Sequence, residues 1–395
     1  MAYDLQTNNL ANIRQSLDSM MKELSVHDDL PLFKSLGMLS NGEGVTNTTH
    51  NWPDLIMPGR RTTLNTTINN STTTVVVDNT YKNLTPVWSV GQTFRIYDTT
   101  DPHVFEEFSV SAVSVGGSTT TLTVATRPFT SVSAASTAAA ATGGTALVVL
   151  GDILEGEGED VSVFRNTKSI QRSNYVQIFK EPFRVTYTSE AVDDVAKDGK
   201  ITEQERRALK ISMKRLHQTA IYGSKAKFTN SNGNEVRMMG GIDNFIPAAN
   251  KVNEAGAALS SAIIDGIAIQ IKELGGMADT ILCSYKQKVK IDALKAAKVT
   301  QGGMSQSEHN LDNLVDTYDS NAGVLKVIPC NDIKDDEIFI FNSADFMVRP
   351  MVGLSYQTKP LPDNGSGPKG FVYGEYTQVA HLPEVAFRLY NLSVS

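Results

Sequence analysis

A single long helix set among strand-like segments constrains the fold of this 395-residue chain more than any other feature. The pattern Thr202-x-x-Glu205 predicts a capping box at the start of the helix, and Gly223 predicts its end. An apolar face is predicted by residues that step by four, three and four: Leu209, Met213, Leu216 and Ala220. Much of the remaining surface is cationic or imidazole: Arg206, Arg207, Lys210, Lys214, Arg215 and His217. At about 20 residues, the helix over 202–222 is about 30 Å long.

The narrow apolar face indicates that this helix lies across a sheet and leaves a long polar flank. That flank is available to solvent, to nucleic acid or to a neighbouring subunit. We therefore treat its cations as candidates for an assembly interface: Arg206, Arg207, Lys210, Lys214 and Arg215. The alternative is an ordinary surface helix whose Lys and Arg side chains are solvated.

An acidic loop over 155–160 precedes the strands that lead into the helix. Its carboxylates Glu157, Glu159 and Asp160 are the second set of interface candidates. They could act as paired catalytic carboxylates. A solvated loop tip whose carboxylates pair with Lys or Arg of a neighbouring chain fits this acidic loop better. Strands are predicted at 174–179 and 183–187. A strand ribbon followed by one long helix favours a scaffold that tiles with copies of itself over a catalytic pocket.

Charge and cysteine usage exclude several classes of protein. The formal net charge of −7 argues against a dedicated DNA-binding protein, whose binding domain is normally basic. Cys283 and Cys330 form no CxxC pair, and they are best explained as small buried apolar residues in a reduced compartment. No N-terminal apolar segment resembles a signal peptide, and no run of about 18 apolar residues could cross a bilayer. We therefore expect no membrane partner.

The segment 61–151 has a composition unlike the rest of the chain. Thr, Ser, Val, Ala and Gly dominate it, and Arg127 is the single charge between Phe108 and Gly151. Short strands are predicted at 72–77, 92–97, 105–115, 119–126 and 145–150, with a hairpin turn at 116–118. The pattern predicts a small β-sandwich or barrel whose edges are shielded or used for contact. The alternative is an adhesin-like recognition module.

The remaining segments predict an N-terminal helix and a C-terminal α/β region. Apolar spacing predicts a helix over 10–24, followed by a polar linker at 41–51. Beyond the long helix, the predicted elements are helices at 260–274 and 284–298, with strands at 279–283, 324–328, 337–341 and 346–348. We expect loops at 299–310 and 359–370, and a terminal hairpin of strands 371–379 and 385–392.

No constellation of residues identifies an enzyme or a cofactor site. Asp194, Asp198 and Glu205 match positions one, five and twelve of an EF-hand calcium loop. Ala196 at position three has no side-chain oxygen, however, and a strand rather than a helix is predicted before the loop, so we treat the match as a decoy. The histidines are scattered and form no HExxH motif. There is no G-x-S-x-G elbow and no phosphate-binding GxxxxGK[ST] loop. We expect no catalytic, cofactor or metal site.

Three stretches carry a resemblance to a known family. The first runs from Glu155-Gly156 to Asn174-Tyr175-Val176-Gln177-Ile178-Phe179. The second joins Ala220-Ile221-Tyr222-Gly223 to Arg237-Met238-Met239-Gly240-Gly241-Ile242, and the third is Gly374-Glu375-Tyr376-Thr377. In these stretches and in element order over nearly the whole chain, the sequence resembles tailed-bacteriophage major capsid proteins of the Hong Kong 97-like fold. More narrowly, it resembles those whose extended loop carries an inserted β-domain.

The resemblance implies an α+β fold with five parts. These are an N-terminal arm at 1–52; an extended β-loop at 53–181 with a small all-β domain inserted at about 61–151; a peripheral domain at 182–250 with its spine helix at 202–222; an axial domain at 251–362; and a return to the peripheral domain at 363–395. It implies a structural protein that is not an enzyme and that assembles into pentamers and hexamers of an icosahedral head.

The same resemblance implies the partners and the location. Copies of the chain would meet in capsomers around packaged double-stranded DNA that is held by non-specific contacts. Portal, scaffolding and decoration proteins are further possible partners, and the arm is too short to contain a scaffolding domain. The shell would assemble in the host cytoplasm and become the virion capsid. Two rival interpretations are an encapsulin-like nanocompartment shell that holds protein cargo and a β-rich recognition protein.

Overall fold

The computed structural model describes residues 30–39, 44–55, 61–66, 68, 73–79, 88–97, 105–130, 146–153, 157, 169–192, 200–299, 316–321, 323–362, 365 and 367–394. The helices are α1 (Pro31–Lys34), α2 (Tyr187–Ala191), α3 (Ile201–Tyr222), α4 (Ile242–Phe245), α5 (Ser261–Glu273) and α6 (Tyr285–Val299). The first ten strands are β1 (Thr49–Asp54), β2 (Arg61–Thr63), β3 (Thr74–Asp78), β4 (Gln92–Tyr97), β5 (Phe105–Val115), β6 (Thr119–Thr130), β7 (Ala146–Ile153), β8 (Ile170–Tyr175), β9 (Gln177–Arg184) and β10 (Ala226–Thr229). The others are β11 (Glu235–Met238), β12 (Lys251–Asn253), β13 (Thr280–Cys283), β14 (Asp316–Ser320), β15 (Gly323–Pro329), β16 (Ile338–Phe341), β17 (Phe346–Pro350), β18 (Gln357–Leu361), β19 (Lys369–Ala380) and β20 (Phe387–Tyr390). The predicted helix at 10–24 lies outside the described residues, as does the predicted loop at 299–310 apart from Val299, which ends α6.

The long helix α3 lies across an antiparallel sheet, as its narrow apolar face predicts. In that sheet β19 is central, with β9 on one side and both β17 and β18 on the other. Helix α3 contacts β9 and β19, and Tyr356 Oη donates a hydrogen bond of 2.8 Å to the Ser212 carbonyl on α3. The sheet and the helix share one apolar core that includes Phe179, Leu216 and Tyr376.

The start and the face of α3 differ from the prediction. The N-cap is Lys200, which makes no side-chain cap, and its carbonyl accepts bonds from the backbone N–H groups of residues 203 and 204. The Thr202–Glu205 capping box is therefore wrong, since Thr202 already lies inside the helix. The buried face is Ala208, Ser212, Leu216, His217, Ala220 and Ile221, whereas Leu209 is exposed. The small residues Ala208 and Ser212 let the helix approach the sheet closely. The sequence analysis missed this face because it looked for the spacing of large apolar residues.

The strands over 61–153 form a closed barrel, one of the two alternatives that the sequence left open. The sheet order is β2-β7-β4-β5-β6-β3. A bridge between Leu64 and Val77 and a bond of 2.8 Å from Asn65 N to the Val76 carbonyl join its two outer strands. The barrel has its own apolar core, which includes Phe94, Phe108 and Leu122. Closure pairs the strand edges that the sequence analysis expected to need shielding.

The predicted α/β region is a mixed six-stranded sheet of order β12-β20-β16-β13-β15-β14. Both faces are covered: Leu282 and Phe339 point into the core shared with α3, and Ile281 and Ile338 point into a second core with α5 and α6. Burial on both sides explains why β13 and β16 are continuous apolar runs. The predicted helices and strands of this region are confirmed within two or three residues.

Three predictions near the sheets are wrong. The strand expected at 183–187 ends at Arg184, and α2 begins at Tyr187 because the Thr186 hydroxyl caps it. The segment 359–370, expected to be a loop, contains the end of β18 and the start of β19. The terminal hairpin does not form, since β20 pairs with β12 and β16 rather than with β19. Leu382 in the left-handed region and the turn at Pro383–Val385 carry the chain from one sheet to the other.

Candidate assembly surfaces

Asn174 joins three parts of the chain. Its side chain is fully buried, and its Nδ2 donates bonds of 3.0 and 2.7 Å to the carbonyls of Gly240 and Gln378. Its Oδ1 accepts bonds of 2.8 and 2.9 Å from the backbone N–H groups of Gly240 and Tyr175. Both polar atoms of the amide are therefore satisfied by backbone. This one residue ties β8 to the turn after β11 and to β19.

The Gly240-Gly241 turn packs directly against the end of the long helix. The Gly241 N–H donates a bond of 2.7 Å to the Gly223 carbonyl. A Cβ atom at Gly241 would lie 2.5 Å from the Thr219 carbonyl oxygen, and one at Gly223 would lie 2.6 Å from the Met239 carbonyl oxygen. These glycines are required by close backbone approach rather than by a left-handed conformation.

The ribbon of β1 and β8 is anchored to the turn between β19 and β20. Trp52 is buried, and its Nε1 donates a bond of 3.0 Å to the Ala380 carbonyl. Asp54 is buried beside Arg172 and His381, with Oδ2 2.6 Å from Arg172 Nε and Oδ1 2.8 Å from His381 Nδ1. Arg172 also contacts Glu384. The ribbon is thus fixed as far as Asp54, and Leu55 and Ile170 at its outer end are exposed.

The segment that holds α1 packs on the long helix of the same chain. Leu32 is fully buried in the core shared by α3 and the sheets. Its N–H donates to His217 Nε2 at 3.4 Å, and Nδ1 of the same ring lies 2.6 Å from Asp332 Oδ2. His217 was expected on the polar flank of the helix, which is wrong. It is a buried link between the N-terminal segment and Asp332.

The cations of α3 that were candidates for an interface do not form one continuous patch. Arg206 and Arg207 both contact Glu203 of the same helix, at 2.6 and 3.4 Å. The hydrogen bond from Arg206 lowers the pKa of Glu203 below its ordinary value. Arg215 lies more than two turns away and contacts Glu181 of β9. Lys210 and Lys214 are half-buried on the helix between these two groups. The i, i+3 and i, i+4 spacing from Glu203 could have predicted the first group, whereas the Glu181 contact needs the tertiary structure.

The structure describes few of the acidic candidates. Glu157 is exposed in a turn, and Glu159 and Asp160 lie outside the described residues. Asp194 and Asp198 of the EF-hand-like stretch also lie outside them, and Glu205 is half-buried on α3. The helix α2 precedes this stretch, so the sequence argument that a strand precedes it is wrong. The argument from Ala196 is unaffected.

One group of potential metal ligands occurs within the described part of the chain: His217, Cys330 and Asp332. Both ring nitrogens of His217 already have partners, Leu32 N and Asp332 Oδ2. The group is therefore explained as a buried hydrogen-bonded link. Cys283 and Cys330 are buried, as predicted, and form no disulfide, and burial raises the pKa of the Cys283 thiol to about 12. No helix in the described ranges is long and apolar enough to cross a membrane.

Comparison with known proteins identifies the family. Residues 3–393 match the model of the SU10 major capsid protein family, and no curated protein sequence matches the chain. Among solved structures, the capsid of a native GTA particle is similar at 9% identity and a TM-score of 0.48, over 98% of this chain and 97% of that one. A chain in a structure of Mycobacterium phage Adephagia is similar at 11% identity and a TM-score of 0.47, over 100% of this chain and 99% of that one. An encapsulin of Synechococcus elongatus is similar at 13% identity and a TM-score of 0.41, over 58% of this chain and 79% of that one.

Because the family match spans nearly the whole chain, it decides against the encapsulin-like shell and the recognition protein. The chain belongs to the SU10 major capsid protein family and is a tailed-phage protein that forms the virion shell.

Proposed function

We propose that this major capsid protein builds the pentamers and hexamers of an icosahedral phage head that encloses double-stranded DNA. The observation that carries the proposal is the family match over residues 3–393. A closed shell needs heterologous contacts, in which one surface of each subunit meets a different surface of the next. The chain offers such a pair of surfaces in its anchored ribbon and its helix-backed sheet.

We assign the parts of the Hong Kong 97-like fold as follows. The arm is 1–52, the extended loop is 53–181 and its inserted domain is the barrel at about 61–151. The peripheral domain is 182–250 with α3, and the axial domain is 251–362, whose last two strands, β17 and β18, already pair with β19 in the peripheral sheet. Residues 363–395 add β19 to the peripheral sheet, and β20 then joins the axial sheet. The separate core of the barrel supports its assignment as an insert. So does the pairing of β2 with β7, because the chain then enters and leaves the barrel on neighbouring strands.

The exposed outer end of the ribbon supports a role in subunit contact. Ile170, which is 46% exposed, pairs with Asp54 at the last step of the ribbon, and Leu55, the residue after Asp54, is 52% exposed. Apolar residues in such a position gain stability when another subunit covers them. Interlaced ribbons and arms bury areas typical of obligate interfaces, so each contact can be modest while the shell is stable.

The proposed role is structural rather than catalytic. Contact with DNA is non-specific and falls with salt. Portal, scaffolding and decoration proteins are the further partners that the proposal includes, and assembly takes place in the host cytoplasm.

Electron microscopy of the expressed protein tests the proposal. We expect closed shells with fivefold and sixfold capsomers, and fast-sedimenting particles in the ultracentrifuge. In virions that carry this chain, we expect double-stranded DNA that survives nuclease treatment of the intact particle. A monomer that persists at high concentration across salt and pH would contradict the proposal.

A further inference from the structure

One side of the long helix is covered over only part of its length. The apolar residues that step along this side are Leu209, Met213, Leu216 and Ala220. Leu216 and Ala220 are fully buried in the core that also contains Leu32 of the N-terminal segment. Toward the start of the helix, in contrast, Met213 is half-buried and Leu209 is 37% exposed. We call Leu209 and Met213 the open stripe.

Further exposed apolar residues lie near the same end of the helix. Tyr187 in α2 and Val192 directly after it are both exposed. Lys200, the N-cap of α3, donates a bond of 2.6 Å from Nζ to the Glu190 carbonyl, which holds α2 beside this end of the helix. Apolar residues that are grouped in this way gain stability when a partner covers them.

Residues 1–29 have the chemistry to cover the open stripe. Apolar spacing predicts a helix over 10–24, and a helix of this length is marginal in water unless it docks on another surface. The side chains of residues 1–29 include five Asp or Glu and two Lys or Arg, a net charge of −3. Those of residues 201–222 include five Lys or Arg and two Glu, a net charge of +3. The two segments are therefore complementary in charge, and each has an apolar side.

The described residues that follow this segment begin close to the open stripe. The Leu32 N–H donates to His217 Nε2 on α3 at 3.4 Å. Leu209 precedes His217 by eight residues, which is about 12 Å along the helix. Residues 25–29, which join the predicted helix to Leu30, span about 17 Å when extended. The predicted helix can therefore reach the open stripe of its own chain. A short tether of this kind keeps the effective concentration of the segment in the millimolar range, which favours it over partners in solution.

We propose that the helix predicted at 10–24 docks on the open stripe of its own chain. Its apolar residues, which include Leu17 and Leu24, cover Leu209 and Met213, and its carboxylates face the cations on the flank of α3. The contact hides apolar surface that would otherwise be open to non-specific association between free subunits. Because it forms within one chain, it does not depend on the proposed shell function.

Thiol labelling of unassembled subunits tests the contact. The variant Leu209→Cys places a thiol on the open stripe of a chain whose own cysteines are buried. Deletion of residues 2–24 should speed the reaction of this thiol with a maleimide at least about tenfold, because the docked segment no longer protects it. The control Val289→Cys places a thiol at an exposed position of α6 and should react equally fast in the full-length and shortened chains. Equal rates for Leu209→Cys in the two chains would overturn the inference.

Point variants make the same test without shortening the chain. In the Leu209→Cys background, Ile13→Asp/Leu17→Asp places two charges on the apolar side of the predicted helix and should raise the labelling rate as the deletion does. The matched control Asn12→Asp/Ser16→Asp adds the same charges to the opposite side and should not raise it. A rate that rises equally with both pairs would contradict docking through the apolar side.

The dependence of the protection on protein concentration identifies what covers the open stripe. Protection by the chain's own segment should be the same at every concentration at which the subunits stay unassembled. Protection that grows with concentration would assign the open stripe to a second copy of the chain. Protection of the full-length chain that appears only after double-stranded DNA is added would assign it to nucleic acid. Either of these two results would overturn the inference and leave the shell function intact.

Discussion

Asn174 shows how one buried amide can hold three parts of a chain together. Its two polar atoms bind four backbone groups that belong to β8, to the Gly240 turn and to β19. A side chain of another shape or polarity leaves several of these groups unpaired in a place without access to water. Each such group costs about 1–3 kcal/mol. The residue therefore determines how firmly the base of the ribbon is held.

We expect Asn174→Ala to lower the free energy of unfolding by about 3 kcal/mol. Asn174→Asp should lower it at least as much, although Asp has the same shape, because a carboxylate oxygen would then face the carbonyls of Gly240 and Gln378. Urea unfolding of unassembled subunits measures both changes. Asn232→Ala is the control, since Asn232 is exposed and uses its backbone N–H in its turn. Equal stability of Asn174→Asp and the natural chain would contradict this account.

At the scale of elements, periodicity in the sequence predicts most of the structure. The alternation in 92–97 and 105–115 predicts β4 and β5 with their observed bounds, and helical spacing predicts α3 within one residue. These elements are recoverable because one apolar face decides their type. The end of the chain is not recoverable in this way. Strand β20 pairs with β16 and with β12, and β12 lies more than 100 residues before it in the chain. The local sequence pattern contains no information about such distant partners.

The candidate surfaces were predicted less well than the elements. The sequence identified Arg206, Arg207 and Arg215 as cations of the long helix, but all three contact carboxylates of their own chain, Glu203 and Glu181. His217 was placed on the wrong side of the helix because a helical pattern cannot distinguish a polar residue that has a buried partner from one that faces water. Asn174 and Gly240 belong to the stretches that carry the family resemblance, but the sequence did not indicate that they are in contact. The hydrogen bonds between them show it.

The contact between α1 and α3 gives a prediction at this scale. We expect His217→Ala to release the N-terminal segment, because Leu32 loses its hydrogen-bond acceptor and Phe33 loses an edge-on ring contact at 5.4 Å. Limited digestion with a lysine-specific protease should then cut after Lys34 at least about tenfold faster, as for a local opening that is 1.4 kcal/mol easier. Gln218→Ala is the control, since the exposed Gln218 donates a hydrogen bond of 3.1 Å to Asp332, whereas the acceptor for Leu32 N–H is His217. An unchanged rate in His217→Ala would show that apolar burial alone holds the segment.

At the scale of the whole molecule, the three apolar cores are divided unevenly along the chain. The core of the barrel uses residues from Leu64 to Val149, and neither of the other two cores contains any residue of that range. The core shared by α3 and both sheets, in contrast, joins residues from Leu32 to Ala386. Loss of the barrel therefore removes no side chain from the cores that hold the rest of the chain together.

This division predicts the result of deleting the barrel. Replacement of residues 62–150 by a short linker should leave the remainder folded, because Arg61 pairs with Val148 on a neighbouring strand about 5 Å away, and Gly151, the first residue after the deletion, is only three residues beyond Val148. The Tm should fall by no more than about 4 °C, which corresponds to about 1 kcal/mol in a unit of this size. Shell formation, viewed by negative-stain microscopy, should nevertheless change in yield or particle size, since the barrel is inserted in the chain between Leu55 and Ile170, the exposed residues at the end of the ribbon. If the shortened chain shows no cooperative unfolding transition, the barrel is part of the folding unit and the insert has been drawn with the wrong boundaries. Unchanged shells from a folded, shortened chain would instead mean that the barrel serves contacts outside the shell lattice.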